Sequence, residues 1–259
     1  MLKDFLAVDH IIEEKIYIDN IPALLFKPIN KKGLLHTVIF YHGWSSSKEG
    51  QRLRAFILCN LGYQVIIPDA IHHGERGLFN YLNPNNIRDY FWPVVFNNME
   101  EFSKIINYVV ENNNANPETI SVMGHSMGAF TSAGIFTHNT NVKTMVVLNG
   151  SCNWNHSNSI FKDNLAFETS VGYEELEQKI NSLDPMNNLD KLVNRPILLL
   201  HGDGDRVVPI SSQRIFFNKI KPMYNQLENI SFIEYPNLDH YLTTGMMEEA
   251  AKWFKEWLL

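Results

Sequence analysis

The sequence predicts an α/β fold in which one mostly parallel β-sheet carries helices on both faces. Three observations lead there. Short apolar runs rich in β-branched residues recur along the chain, and the later ones alternate with segments of helical pattern, as βαβ units require. Runs such as Thr37-Val38-Ile39-Phe40 and Ile197-Leu198-Leu199-Leu200 are apolar at successive positions, which means burial on both faces of a sheet. Finally, 45% apolar against 19% charged residues over 259 positions gives enough core for one large sheet and argues against disorder.

Taken in order, strands are expected at Lys15–Ile18 and Ala23–Phe26. They stand too close together for a helical crossover, so they form an antiparallel hairpin. A strand at Leu35–Tyr41, a helix over Gln51–Asn60 and a strand at Gln64–Pro68 follow. The stretch of about 74–98 breaks the rhythm. It is rich in aromatics (Phe79, Tyr81, Tyr90, Phe91, Trp92), carries Pro84 and Pro93, and is read as a loop. Next come a helix at Met99–Glu111, a strand at Thr119–Met123, a helix at Met127–Thr137 and a strand at Lys143–Leu148. A second interruption, about 151–188, carries Trp154, Phe161, Phe167 and Tyr173 and is read as a small cap-like insertion. The series closes with a strand at Pro196–Leu200, a helix at Ser211–Ile220, a strand at Ile230–Tyr235 and a helix at Gly245–Leu258. No repeat or Pro/Gly/Ser linker divides the chain, so residues 1–259 are read as one domain. Long irregular segments in compact domains are usually functional. Both interruptions leave the carboxyl edge of the strands, where open α/β sheets place their sites.

A net charge of −6 and an isoelectric point near 5.9 exclude nucleic acid as the expected partner, since no basic stretch could neutralise phosphates. No run approaches the roughly 18 apolar residues of a membrane span. The first residues, Met1 to Leu6, lack a signal-peptide core. The only cysteines, Cys59 and Cys152, have no metal-ligand spacing, and their scarcity fits a reducing compartment. A cytoplasmic location is expected, and the oligomeric state is left open.

Gly124-His125-Ser126-Met127-Gly128 carries the strongest chemical signal. It lies between a strand and a helix, where a serine hydroxyl can be thrust from a crowded turn. Small residues two before and two after relieve that crowding, and the helix amino terminus adds a positive dipole. A serine needs a base, and the base needs a carboxylate to orient it. Downstream, the strand at Pro196–Leu200 runs into His201-Gly202-Asp203-Gly204-Asp205, offering Asp205 and, nearly equal by pattern, Asp203. After Asp205 the only histidine is His240, directly behind the strand Ile230–Tyr235, and it is taken as the base. An oxyanion would need backbone N–H donors already in place. Met127, after the nucleophile, and Trp44, in the turn His42-Gly43-Trp44-Ser45, are the expected pair. His42 and His201 are read as buttresses of their own turns.

These residues resemble the α/β-hydrolase superfamily, in particular bacterial esterases of the dienelactone-hydrolase and prolyl-oligopeptidase-like branch, from about Thr37 onward. The motifs are His42-Gly43-Trp44, Pro68-Asp69 with His73-Gly74-Glu75-Arg76-Gly77, the Ser126 pentapeptide, His201 to Pro209, and Asp239-His240. The family pattern His-Gly-x-x-Asp-x-x-Val-Pro puts the acid on Asp205. The resemblance implies the α/β-hydrolase fold, with an eight-stranded sheet, and the triad Ser126, Asp205 and His240. A usual dienelactone hydrolase has cysteine where this chain has Ser126, so that particular activity is not implied.

Trp44, Met127, Phe91, Trp92 and Trp154 are candidate walls of an apolar pocket. With no long lid in sight, the expected activity is hydrolysis of short-chain or aromatic carboxylic esters, a small-molecule reaction without cofactor or metal. The histidines His42, His72, His73, His125 and His201 lie in separate turns without zinc spacing. A peptidase or aminoacyl hydrolase, using Glu75, Arg76 or Arg88 to hold a terminus, and a thioesterase are alternatives on the same triad. A non-catalytic ligand-binding homologue is the alternative of another class.

Overall fold

The computed structural model describes residues 8–165 and 172–259. Phe167 and the amino-terminal residues read above lie outside the described residues. Those described build an eight-stranded sheet with the order β1-β2-β4-β3-β5-β6-β7-β8. The strands are β1 (Ile11–Ile18), β2 (Ile21–Pro28), β3 (Leu35–Tyr41), β4 (Gln64–Pro68), β5 (Ala115–His125), β6 (Met145–Leu148), β7 (Ile197–Gly202) and β8 (Ile230–Tyr235). The hairpin β1–β2 is antiparallel and β2 runs antiparallel to β4, while every pairing from β4 through β3 to β8 is parallel. This is the α/β-hydrolase fold.

The helices are α1 (Arg52–Asn60), α2 (Pro84–Asn113), α3 (Met127–His138), α4 (Trp154–Leu165), α5 (Tyr173–Leu183), α6 (Ser211–Ile220) and α7 (Thr244–Leu258). Successive strand residues feed opposite core layers, as a period of two demands. Ile39, Val122, Val147 and Leu199 pack with Phe102 and Ile105 of α2, Ala133 of α3 and Phe216 of α6. Their neighbours Val38, Met123, Val146 and Leu198 pack on the other face with Leu58 of α1 and Ala250 and Phe254 of α7. The continuous apolar runs are thus explained by helices on both sides.

One expectation needs correction. The stretch read as a loop over 74–98 is helical from Pro84 onward, in a helix that continues to Asn113. Pro84 occupies the first turn, where its missing N–H costs nothing, and the Asn83 side chain caps the turn by accepting the Asn85 N–H at 3.0 Å. Pro93 lies inside the helix. The apolar stripe Phe91, Val95, Phe102, Ile105, Val109 passes through it, so burial outweighs the lost hydrogen bond. Helices α4 and α5 lie within the interruption between β6 and β7. Trp154 of α4 packs with Trp92 and Phe96 of α2 and Phe130 of α3 in a third apolar cluster above the carboxyl edge.

Candidate active site

Ser126 stands between β5 and α3 with φ 57° and ψ −123°, backbone angles that a non-glycine residue adopts only under constraint, at a cost of about 1–3 kcal/mol. The constraint is visible. The Ser126 N–H donates to Leu148 O at 2.9 Å, and its carbonyl accepts the Ala129 N–H at 2.8 Å. The glycines on either side are required by space: a Cβ on Gly124 would fall 1.9 Å from Gly128 O, and one on Gly128 would fall 2.0 Å from Tyr41 O. The serine is 8% exposed and opens onto a cavity of about 220 Å³.

The turn after β3 comes up beside it. A Cβ on Gly43 would lie 3.2 Å from Ser126 Cβ, so no side chain separates the two segments. Among the described residues, neither the Trp44 N–H nor the Met127 N–H donates a hydrogen bond. Two cores hold this turn. His42 accepts the Ala70 N–H on Nε2 (3.1 Å), which leaves the proton on Nδ1 to donate to Gly43 O at 2.9 Å. Burial lowers the pKa of this ring, so it stays neutral. Beneath the turn, the fully buried Lys48 ammonium meets Asp69 at 2.6 Å and Glu75 at 2.5 Å. The Asp69 carboxylate also accepts the backbone N–H groups of Lys48 and Glu75 at 2.9 and 3.0 Å. Burial works against the lysine charge, but these carboxylates outweigh it and raise the Lys48 pKa.

Asp205 follows β7 and its side chain is fully buried. Oδ1 accepts the N–H groups of Val207 and Val208, each at 2.9 Å, and Oδ2 accepts from His240 Nδ1 at 2.7 Å. His201 Nε2 lies 3.2 Å from the same Oδ2 and also bonds Val208 O at 2.8 Å. Burial disfavours the carboxylate, yet the hydrogen bonds from His201 and His240 prevail and its pKa is lowered. Asp203 has a different partner: it accepts the Asn237 N–H at 2.6 Å, at the start of the loop that carries His240. The His240 ring lies 5.0 Å from that of His125, the residue before Ser126. Among the described residues no hydrogen bond joins the Ser126 hydroxyl to His240; such contacts are often long in free enzymes and close in the substrate complex.

The cavity at Ser126 is lined by Trp44, Ile87, Phe91, Phe161, Asn164, Leu165 and Arg206 to Val208. Trp44 is fixed by donating Nε1–H to Tyr81 O at 2.9 Å. Three expected wall residues lie elsewhere. Trp154 is fully buried in the core, and Trp92 is 2% exposed, donates Nε1–H to Asn158 Oδ1 at 2.8 Å and lines a separate crevice of about 10 Å³. The helical turn of α2 puts Phe91 towards the cavity and swings its neighbour away. Arg206, Val207 and Val208 were missed as walls, although they directly follow the acid at the carboxyl edge. Met127, the third, is fully buried and does not line the cavity. Among the described residues no three His, Cys, Asp or Glu side chains gather as a metal requires, and no helix is long and apolar enough to cross a membrane.

Comparison with known proteins adds a lineage to this geometry. Residues 51–259 match the prolyl oligopeptidase family. A candidate esterase of Bacillus subtilis, YitV, is 31% identical over 252 residues, covering 93% of this chain and 97% of its own. The esterase YjfP of Escherichia coli is 31% identical over 245 residues, covering 92% and 96%. In three dimensions the chain is similar to TT1662 of Thermus thermophilus, with a TM-score of 0.78 at 18% identity over 96% of this chain and 98% of that one.

Proposed function

The chain belongs to the prolyl oligopeptidase family, and we propose that it hydrolyses short-chain or aromatic carboxylic esters through an acyl-enzyme formed on Ser126. It is a serine hydrolase of the esterase type, and the relatives it matches are a candidate esterase and an esterase. The observation that carries the residue assignment is the strained Ser126 turn, opening onto an apolar cavity beside the Asp205–His240 pair.

In this reading Asp205 accepts the Nδ1–H of His240, which leaves Nε2 as the basic nitrogen. As the Ser126 oxygen attacks the carbonyl carbon, its proton passes to Nε2, and the carbonyl π pair moves onto oxygen. The N–H groups of Trp44 and Met127, which donate no hydrogen bond among the described residues, receive that oxyanion. Collapse re-forms the carbonyl and breaks the ester C–O bond. The leaving alkoxide takes the proton from His240. A water, deprotonated by the same nitrogen, then releases the acid and restores the serine.

The size limit follows from the cavity. About 220 Å³ lies below the roughly 300–1,000 Å³ of sites for drug-sized ligands, and Trp44, Phe91, Phe161 and Val208 make its walls apolar. A series of p-nitrophenyl esters is the test: kcat/KM should peak at short acyl chains, and a fluorophosphonate should label Ser126. A maximum at long chains would refute the size limit. Faster turnover of aminoacyl-naphthylamides than of naphthyl esters would turn the reading towards a peptidase.

A further inference from the structure

Sequence reasoning passed over Asn149, the residue directly after β6. In the sheet, β6 lies between β5, which ends at the Ser126 turn, and β7, which runs on to Asp205. Asn149 is fully buried and sits in the left-handed region with φ 46°, where asparagine is among the few side chains tolerated.

Every polar atom of its carboxamide is spent on segments that carry the triad. Oδ1 accepts the Gly202 N–H at 3.0 Å, at the end of β7, three residues before Asp205. Nδ2 donates to the carbonyl of Tyr241, the residue after His240, at 2.9 Å. The same Nδ2 stands 3.5 Å from His125 Nε2, beside the nucleophile. These partners fix which end of the amide is oxygen, since Gly202 can only donate and Tyr241 O can only accept. The backbone repeats the pattern: Asn149 N–H donates to Leu200 O at 2.9 Å, and the preceding carbonyl, Leu148 O, receives the Ser126 N–H.

We infer that Asn149 is a positioning residue, whose carboxamide sets the separation of the nucleophile turn, the acid strand and the base loop. The inference rests on the triad reading above. Other ties to the base loop come from the acid loop itself, through Asp203 to Asn237 and Gly204 to Leu238 O. These fasten acid to base, and the sheet pairs the acid strand with β6 and so with β5, but none of them ties the base loop directly to the nucleophile side. Asn149 alone among these ties starts from the strand next to the nucleophile. Displacement of a reacting group by about 1 Å can cost on the order of 10²-fold in rate without loss of substrate binding.

Two substitutions test this on the whole protein. Asn149→Leu keeps a comparable volume and removes every hydrogen bond. Asn149→Asp keeps the shape and the Gly202 bond but, ionised, cannot donate to Tyr241 O. With p-nitrophenyl acetate, both should lower kcat by about 10–100-fold with KM within threefold of the parent. Folded protein is quantified by near-ultraviolet circular dichroism, and Asn149→Asp carries the test if Asn149→Leu does not fold. Either folded variant retaining more than a third of the parental kcat overturns the inference. So does a loss appearing in KM instead of kcat, which would mark a merely structural role. Ser126→Ala serves as the control. If it remained active, the triad reading itself would fail; an inactive Ser126→Ala beside a fully active Asn149→Asp would sink the positioning role alone.

Discussion

In the proposed mechanism the proton path turns on the tautomer of one imidazole. His240 Nδ1 lies 2.7 Å from Asp205 Oδ2, so a carboxylate there keeps the proton on Nδ1 and the lone pair on Nε2. In Asp205→Asn an amide N–H would compete for Nδ1, push the proton to Nε2 and remove the base. The expected loss in kcat is about 10⁴-fold, below the roughly 10⁶-fold expected for Ser126→Ala. Asp203→Asn keeps an oxygen for the Asn237 N–H and should stay within about tenfold of the parent. Esterase assays on the three purified variants check this, and an active Asp205→Asn beside an inactive Asp203→Asn would reverse the assignment. At this scale the sequence separates chemistry from packing unevenly. As candidates, Ser126 and His240 are legible because each follows an apolar strand, whereas pattern leaves Asp205 level with Asp203 and only the resemblance to the family motif chooses between them. Phe91 and Trp92 are not legible, because adjacent helical residues face different ways and the helical phase across Pro93 leaves no trace in composition. Asn149 obeys the same strand-end rule as the triad residues; it was passed over because a lone asparagine after a strand reads as an ordinary turn residue.

Elements were legible in proportion to how far burial alone defines them. The strands Leu35–Tyr41, Gln64–Pro68 and Ile230–Tyr235 and the helix Ser211–Ile220 carry the bounds read from the sequence, because polar or turn residues flank each apolar pattern. Helix α2 was half missed because its two prolines imitate a loop, and only tertiary burial tells a tolerated proline from a breaking one. The junction of β3, β5 and α3 shows how tightly three elements can meet at a site. A methyl on Gly128 would lie 2.0 Å from the backbone oxygen of Tyr41, so Gly128→Ala must part α3 from β3 and should abolish esterase activity with marked loss of stability. Gly245, in the first turn of α7, is the contrast: its added Cβ would meet nothing nearer than 3.7 Å. Gly245→Ala should leave activity intact and raise stability by up to about 1 kcal/mol, since alanine loses less backbone entropy on folding. Urea unfolding of the two variants beside the parent measures both effects, and a stable, active Gly128→Ala would refute the packing argument.

For the molecule as a whole, burial of neutral imidazoles sets the acid limit of stability. His73 is fully buried beneath Trp44, and its pKa is pushed down to about 4, first by burial and then by its neighbour His42. Burial, followed by the proximity of His240, takes His125 down to about 3. In the unfolded chain both would titrate near 6.5. A group whose pKa is depressed by folding binds its proton more readily in the unfolded state, so its contribution is complete above about pH 6.5 and is lost as pH falls towards the folded value. Each such histidine costs about 1.4 kcal/mol per pH unit across that window, and the two together about 3 kcal/mol per unit between pH 6 and 4. The lowered pKa of Asp205 acts in the same direction but only below the ordinary carboxylate range, and the raised pKa of Lys48 matters only in strong alkali. The urea midpoint should therefore be flat from about pH 7 to 9 and fall steeply below pH 6, well before carboxylates protonate. His73→Phe should flatten that slope at whatever absolute stability it has, because the slope counts protons and not contacts. A midpoint unchanged between pH 7 and 5 would mean that the His73 ring reaches solvent in the native state, and the wall of rings that holds Trp44 beside Ser126 could not then be as closely packed as its 5.2–6.1 Å centroid spacings require.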